Sequence, residues 1–239
     1  MTLLHTFTDR IPKDRLTLFS DFISSAKPFG IVRSNNGIGV PTDAYSNGNS
    51  DDLGSVTCKL AAGSSGGVYQ RIGIYQTADQ TGFLQKDWVL LDGEYSVECR
   101  VKTTVHPSAA CIVTCGYAVN FDAAVMNGAY FYHTNGQTTW RAAVSAGSAI
   151  IRQIDTGVPV SSYQVLRVES LDGGRMFQFF ANGRRVWKAV DPEVRAEIAV
   201  NPAAHPMPHV EVIDRVIGGG GRENEFVADY MMTEERFTR

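Results

Sequence analysis

The sequence predicts an all-β chain, a two-sheet antiparallel β-sandwich or jelly roll with a short N-terminal helix or arm, and three observations lead there. Short apolar runs recur between Gly, Asn, Asp and Pro punctuation. In segment 94–102, Tyr95, Val97, Cys99 and Val101 alternate with Glu94, Ser96, Glu98, Arg100 and Lys102, the period of a half-buried strand. Asn182-Gly183 sits between two apolar segments, and this pair readily takes the positive dihedrals of a tight hairpin turn.

From the N-terminus, Leu16, Phe19, Phe22 and Ile23 after Pro12 have helical spacing, while Leu16-Thr17-Leu18-Phe19 also reads as a strand. Residues 1–30 are therefore expected to form an arm or short helix, packed on a single domain at 31–239. The stretch 43–55, rich in Asn, Ser, Asp and Gly, reads as a loop, as does 218–225 with its run Gly218 to Gly221. Strand runs are expected at 67–76, 94–102, 109–119, 129–134, 139–145, 149–155, 163–171, 175–181, 184–190, 210–217 and 226–237. The pair 94–102 and 109–119 reads as a hairpin, with Cys99 across from Cys111. In the last run Phe226, Ala228, Tyr230 and Met232 are expected on one face, with Asp229, Thr233 and Glu235 on the other.

Composition bounds the partners. Of 239 residues, 44% are hydrophobic and 20% charged, an ordinary globular balance. The net charge is -3 and the 22 basic residues form no block that would track phosphates, so nucleic acid is not an expected partner. No run approaches ~20 apolar residues and the first ten residues lack a leader's apolar core, so membrane insertion and export are not expected. Four cysteines for this length suit reduced thiols and not a disulfide framework.

The candidate chemistry is thin. Gly63-Ser64-Ser65-Gly66-Gly67 matches the serine-hydrolase elbow, but a strand follows it where a helix is needed. Glu94 and Glu98 share a strand face yet lie roughly 13 Å apart, as do Glu225 and Asp229, beyond the ~5 to 9.5 Å of a glycosidase pair. Glu211 and Asp214 fall on opposite faces, which leaves only carboxylates brought together from different strands. His205 and His209 are separated by two prolines in an extended segment, too far apart for one zinc. Asn47, Asn49 and Asp51 put hard oxygen ligands in one loop, a weak calcium candidate without the closing glutamate of an EF-hand, and no other cofactor is expected. Tyr130, Tyr132 and Trp140 are the candidate carbohydrate-binding residues, since aromatic faces stack on sugars; the competing reading places them in the core.

Gly128-Ala-Tyr-Phe-Tyr, Trp140, Tyr163-Gln-Val-Leu-Arg-Val-Glu, Met176-Phe-Gln-Phe-Phe-Ala-Asn-Gly-Arg-Arg-Val and Val227-Ala-Asp-Tyr-Met-Met occur in this order. The series resembles concanavalin A-like domains of the laminin-G type, as found in tailed-phage virion proteins, over about residues 65–237. Such domains are lectins, polysaccharide hydrolases and lyases, or modules of capsid decorations and tail fibres. With no carboxylate motif and no leader, the resemblance implies a non-enzymatic virion protein made in a host cytoplasm, with a soluble lectin, and after it a glycoside hydrolase or polysaccharide lyase, as the alternatives. Its expected partners are other virion proteins, itself as a symmetric homo-oligomer, and host-surface glycan.

Overall fold

The computed structural model describes residues 15–20, 30–34, 42–46, 54–60, 69–73, 94–105, 111–119, 127–134, 136–146, 149–171, 176–190, 207–214 and 224–236. These carry fifteen strands. In chain order they are β1 (Arg15–Ser20), β2 (Gly30–Ser34), β3 (Thr42–Ser46), β4 (Ser55–Leu60), β5 (Tyr69–Gly73), β6 (Glu94–Val105), β7 (Cys111–Val119) and β8 (Asn127–Thr134). There follow β9 (Thr139–Ala146), β10 (Ala149–Pro159), β11 (Gln164–Leu171), β12 (Met176–Ala181), β13 (Arg184–Val190), β14 (Met207–Asp214) and β15 (Asn224–Arg236).

They form two antiparallel sheets. The first runs β13-β12-β11-β6-β15-β4-β3, and the second β10-β9-β8-β7-β14-β5-β2. β1 joins the first sheet on the C-terminal half of β15: β4 pairs Asn224 to Ala228, and β1 pairs Met231 to Arg236. Of the two readings of this segment, residues 15–20 take the strand and not the helix, because the far half of β15 offers an edge whose main-chain groups β1 satisfies.

Alternation fills the space between the sheets. β11 reads buried, half-buried through its whole length, and β6 sends Tyr95, Val97, Cys99 and Val101 inward as expected. They meet Val113 and Cys115 of β7, Phe131 of β8, and Trp140, Ala142 and Val144 of β9. The rings of Phe131 and Phe179, one from each sheet, pack edge-on with centroids 5.4 Å apart. A polar brace also crosses the core: Thr103 Oγ1 hydrogen-bonds His133 Nε2 at 2.7 Å, and the imidazole packs edge-on against Trp140 at 4.7 Å.

Three expectations are corrected. β6 and β7 do not form a hairpin, because β6 lies between β11 and β15 in the first sheet and β7 between β8 and β14 in the second. The thiol facing Cys99 is consequently Cys115, across the sandwich, and not Cys111. Residues 42–46 form β3, an edge strand, and 224–225 open β15, which lies between β4 and β6, where loops were expected; polar side chains do not prevent strand pairing when partner strands are at hand. In β15 a bulge at Asp229 places Ala228 opposite Val101 and Tyr230 opposite Arg100. One extra residue reverses the alternation, so Phe226, Ala228, Met231 and Thr233 are buried, and Tyr230 and Met232 turn outward.

The Asn182-Gly183 turn is as expected, with φ of 51° and 77°. Asn182 also ties the turn to β11: its N–H donates to Val165 O, its Oδ1 accepts from Val165 N–H, and its Nδ2 donates to Gln164 Oε1 at 2.7 Å. Asn182→Ala replaces a residue that tolerates positive φ with one that does so less readily, and removes the two side-chain bonds, so a loss of about 1–2 kcal/mol is expected in urea unfolding. A loss too small to measure would show that the turn is held by its strands alone.

Candidate functional site

The outward face of the first sheet collects side chains that sequence position scatters. Register places Phe19 of β1 opposite Met232 of β15, Met232 opposite Glu98 of β6, Glu98 opposite Arg167 of β11, and Arg167 opposite Phe180 of β12. At about 4.8 Å between strands this row spans about 19 Å, the length of three to four sugar rings. Phe19 is 52% exposed, a large open ring on a sheet face.

Two clusters flank the row, and Arg100 belongs to both. At one end Phe19 lies 5.7 Å from Tyr230, ring to ring, and the Tyr230 hydroxyl donates to Glu98 Oε1 at 2.7 Å. Beside them Arg100 is bonded to the Asp229 carboxylate at 2.5 Å. Partial burial, together with the neighbouring Glu98 carboxylate, pushes the Tyr230 phenol well above its usual range. The Tyr230 phenol is therefore held protonated, as the donor to Glu98. Toward the other end, Arg100 and Lys102 each lie 4.2 Å from the Tyr163 ring centre, while the Arg167 guanidinium lies 4.4 Å over Phe180 and 3.1 Å from Glu169. The face thus offers rings for stacking, with ammonium, guanidinium, carboxylate and phenol groups for hydroxyls and carboxylates of a ligand.

The candidate aromatics are placed elsewhere. Trp140 is fully buried in the core. Tyr130 and Tyr132 do alternate away from Phe131 as expected, but on the second sheet, where they are only 3% and 6% exposed. Their rings pack edge-on to each other at 6.0 Å, and the Tyr132 hydroxyl donates to Gln153 Oε1. All three are packing residues, with no ring face open for a sugar to stack on. Asn47, Asn49 and Asp51, the serine of the Gly63–Gly67 segment, and His205 lie outside the described residues.

Sequence reasoning missed Tyr230 because the bulge at Asp229 turns it from the expected core face to the outward one, where Asp229 was already expected. It missed Phe19 because its segment was left open between a helix and a strand, and neither reading alone gives its pairing with β15. One signal was available: carboxylates converging from separate strands were the surviving possibility, and Glu98 of β6 and Asp229 of β15 converge on Tyr230 and Arg100.

Two antiparallel sheets stacked in this way make the fold of a concanavalin A-like jelly roll. No protein-family model and no curated protein sequence matches the chain. Solved structures do match. A Shewanella oneidensis MR-1 protein of unknown function superimposes with a TM-score of 0.63 at 14% identity, over 98% of this chain and 92% of its own. A β-1,3-1,4-glucanase (lichenase) from a mouse hindgut metagenome gives 0.55 at 10% identity, over 91% and 98%. The carbohydrate recognition domain of Emp47p gives 0.53 at 10%, over 96% and 100%.

These neighbours correct one expectation. The absence of a carboxylate run along one strand led to a non-enzyme, yet a glucanase shares the fold over nearly its whole length. A missing linear motif does not exclude catalysis in a fold whose sheet faces assemble groups from several strands. Among the described residues no helix is long and apolar enough to cross a membrane.

Proposed function

We propose that this protein engages polysaccharide along the outward face of its first sheet. The observation that carries the reading is the cross-strand row from Phe19 through Glu98 and Arg167 to Phe180, flanked by Tyr230 and Tyr163. The exposed Phe19 ring stacks on the C–H face of a sugar, and the ionic groups along the row, with Arg167 resting on Phe180, fix hydroxyl or carboxylate positions. A recognition domain and a glucanase on the same fold support a glycan as the occupant.

Titration calorimetry against bacterial surface polysaccharides, with glycan chain length followed in the same samples, tests this. The expected result is saturable binding to at least one polymer. No binding across the panel would overturn the reading, and shortening of the bound polymer would assign turnover to the same face.

The finer setting is a tailed-phage particle, with the domain decorating the head or a tail fibre as a symmetric oligomer. Its support is the sequence resemblance described above. Light scattering should give a stable oligomer; a monomer at high concentration would count against this setting.

A further inference from the structure

Cys99 and Cys115 belong to different sheets and point at each other. Cys99 lies on β6 between Leu166 and Met231, and Cys115 on β7 between Phe131 and Val210. Their exposures are 0% and 1%, both are free thiols, and their sulfurs are 2.7 Å apart. Strand pairing does not explain this meeting, since the two strands share no sheet.

From this juxtaposition we infer that Cys99 and Cys115 are an oxidative modification site, forming a cross-sheet disulfide when the chain meets a small disulfide oxidant such as oxidised glutathione. When the sandwich opens, or before it closes during folding, a Cys99 or Cys115 thiolate attacks one sulfur of glutathione disulfide and expels a glutathione thiolate. The second cysteine thiolate then attacks the protein sulfur of the mixed disulfide and expels the other glutathione. Two protein thiols lose two electrons, and one glutathione disulfide becomes two thiols.

The closed state resists this reaction. Burial raises the Cys99 thiol well above its usual range, which keeps it protonated and a poor nucleophile. Oxidation is therefore gated by opening. Once formed, the bond ties the centre of the first sheet to the second across a separation of 16 residues, removing freedom from the unfolded chain.

The test incubates the full chain with glutathione disulfide in low urea, removes both, and measures intact mass, cross-linked peptides and thermal midpoint. The expected result is loss of two hydrogen masses, a single Cys99–Cys115 cross-link, and a midpoint higher by about 5–10 °C that reverts with reductant. Oxidation should slow severalfold when urea is omitted. A link from Cys99 to Cys58 or Cys111, or four thiols surviving urea treatment, would overturn the inference. The Cys99→Ala, Cys115→Ala double variant supplies a second reading, since its midpoint should not respond to oxidant; a response equal to that of the parent would also overturn it.

Discussion

Trp140→Ala is expected to destabilise the protein by about 3–5 kcal/mol, read as a lower urea midpoint. Trp140 is among the largest fully buried side chains, packed against His133, which hydrogen-bonds Thr103 across the sandwich. Truncation leaves a cavity and removes one wall of that brace. Trp140→Phe should cost less, because it keeps a ring and deletes an indole N–H that has no acceptor in the core. A Trp140→Ala variant as stable as the parent but deficient in glycan binding would instead make this residue part of a recognition surface.

Gly116→Ala is expected to cost about 3 kcal/mol or more and to reduce soluble yield. A β-carbon at this position comes within 2.5 Å of Ala129 O and 2.6 Å of Tyr130 Cα, and φ is +151°. Those atoms belong to the backbone of β8, the strand paired with β7, so they cannot rotate aside as a side chain does. Relief requires the two strands to separate in the middle of the second sheet, directly beneath the packed Tyr130. Urea unfolding of the purified variant measures the loss. A change under about 0.5 kcal/mol would mean that the β7–β8 pairing is looser than this geometry describes.

Much of the fold was legible because its signals are local. Period-two alternation identified β6, apolar runs between turn residues identified β11 and β12, and the Asn182-Gly183 turn could be read from two residues, since only their dihedral preferences are involved. Which strands pair was not legible. β6 and β7 follow each other in the chain yet enter opposite sheets, because pairing is decided by partners as distant as β15. The site was less legible still. Tyr130, Tyr132 and Trp140 were chosen for their chemistry, but burial depends on what covers a face, which one strand's sequence does not encode. The bulge at Asp229 cost the alternation argument a single residue, and that was enough to move Tyr230 from the expected core face to the outward one. Phe19 became part of the site only through its pairing with Met232.

The most direct test of the central claim compares the affinity of the parent chain for a bound polysaccharide with that of the Phe19→Ala, Arg167→Ala double variant, with Tyr132→Phe as a control. The first change removes the exposed ring at one end of the row, and the second removes its central cation. Binding through this face predicts a loss of about 10- to 100-fold for the double variant, on the scale of one stacking and one ionic contact, with the thermal midpoint nearly kept. The control should bind as the parent does. Unchanged affinity in the double variant, or a selective loss in Tyr132→Phe, would contradict the assignment and move the binding site to the second sheet.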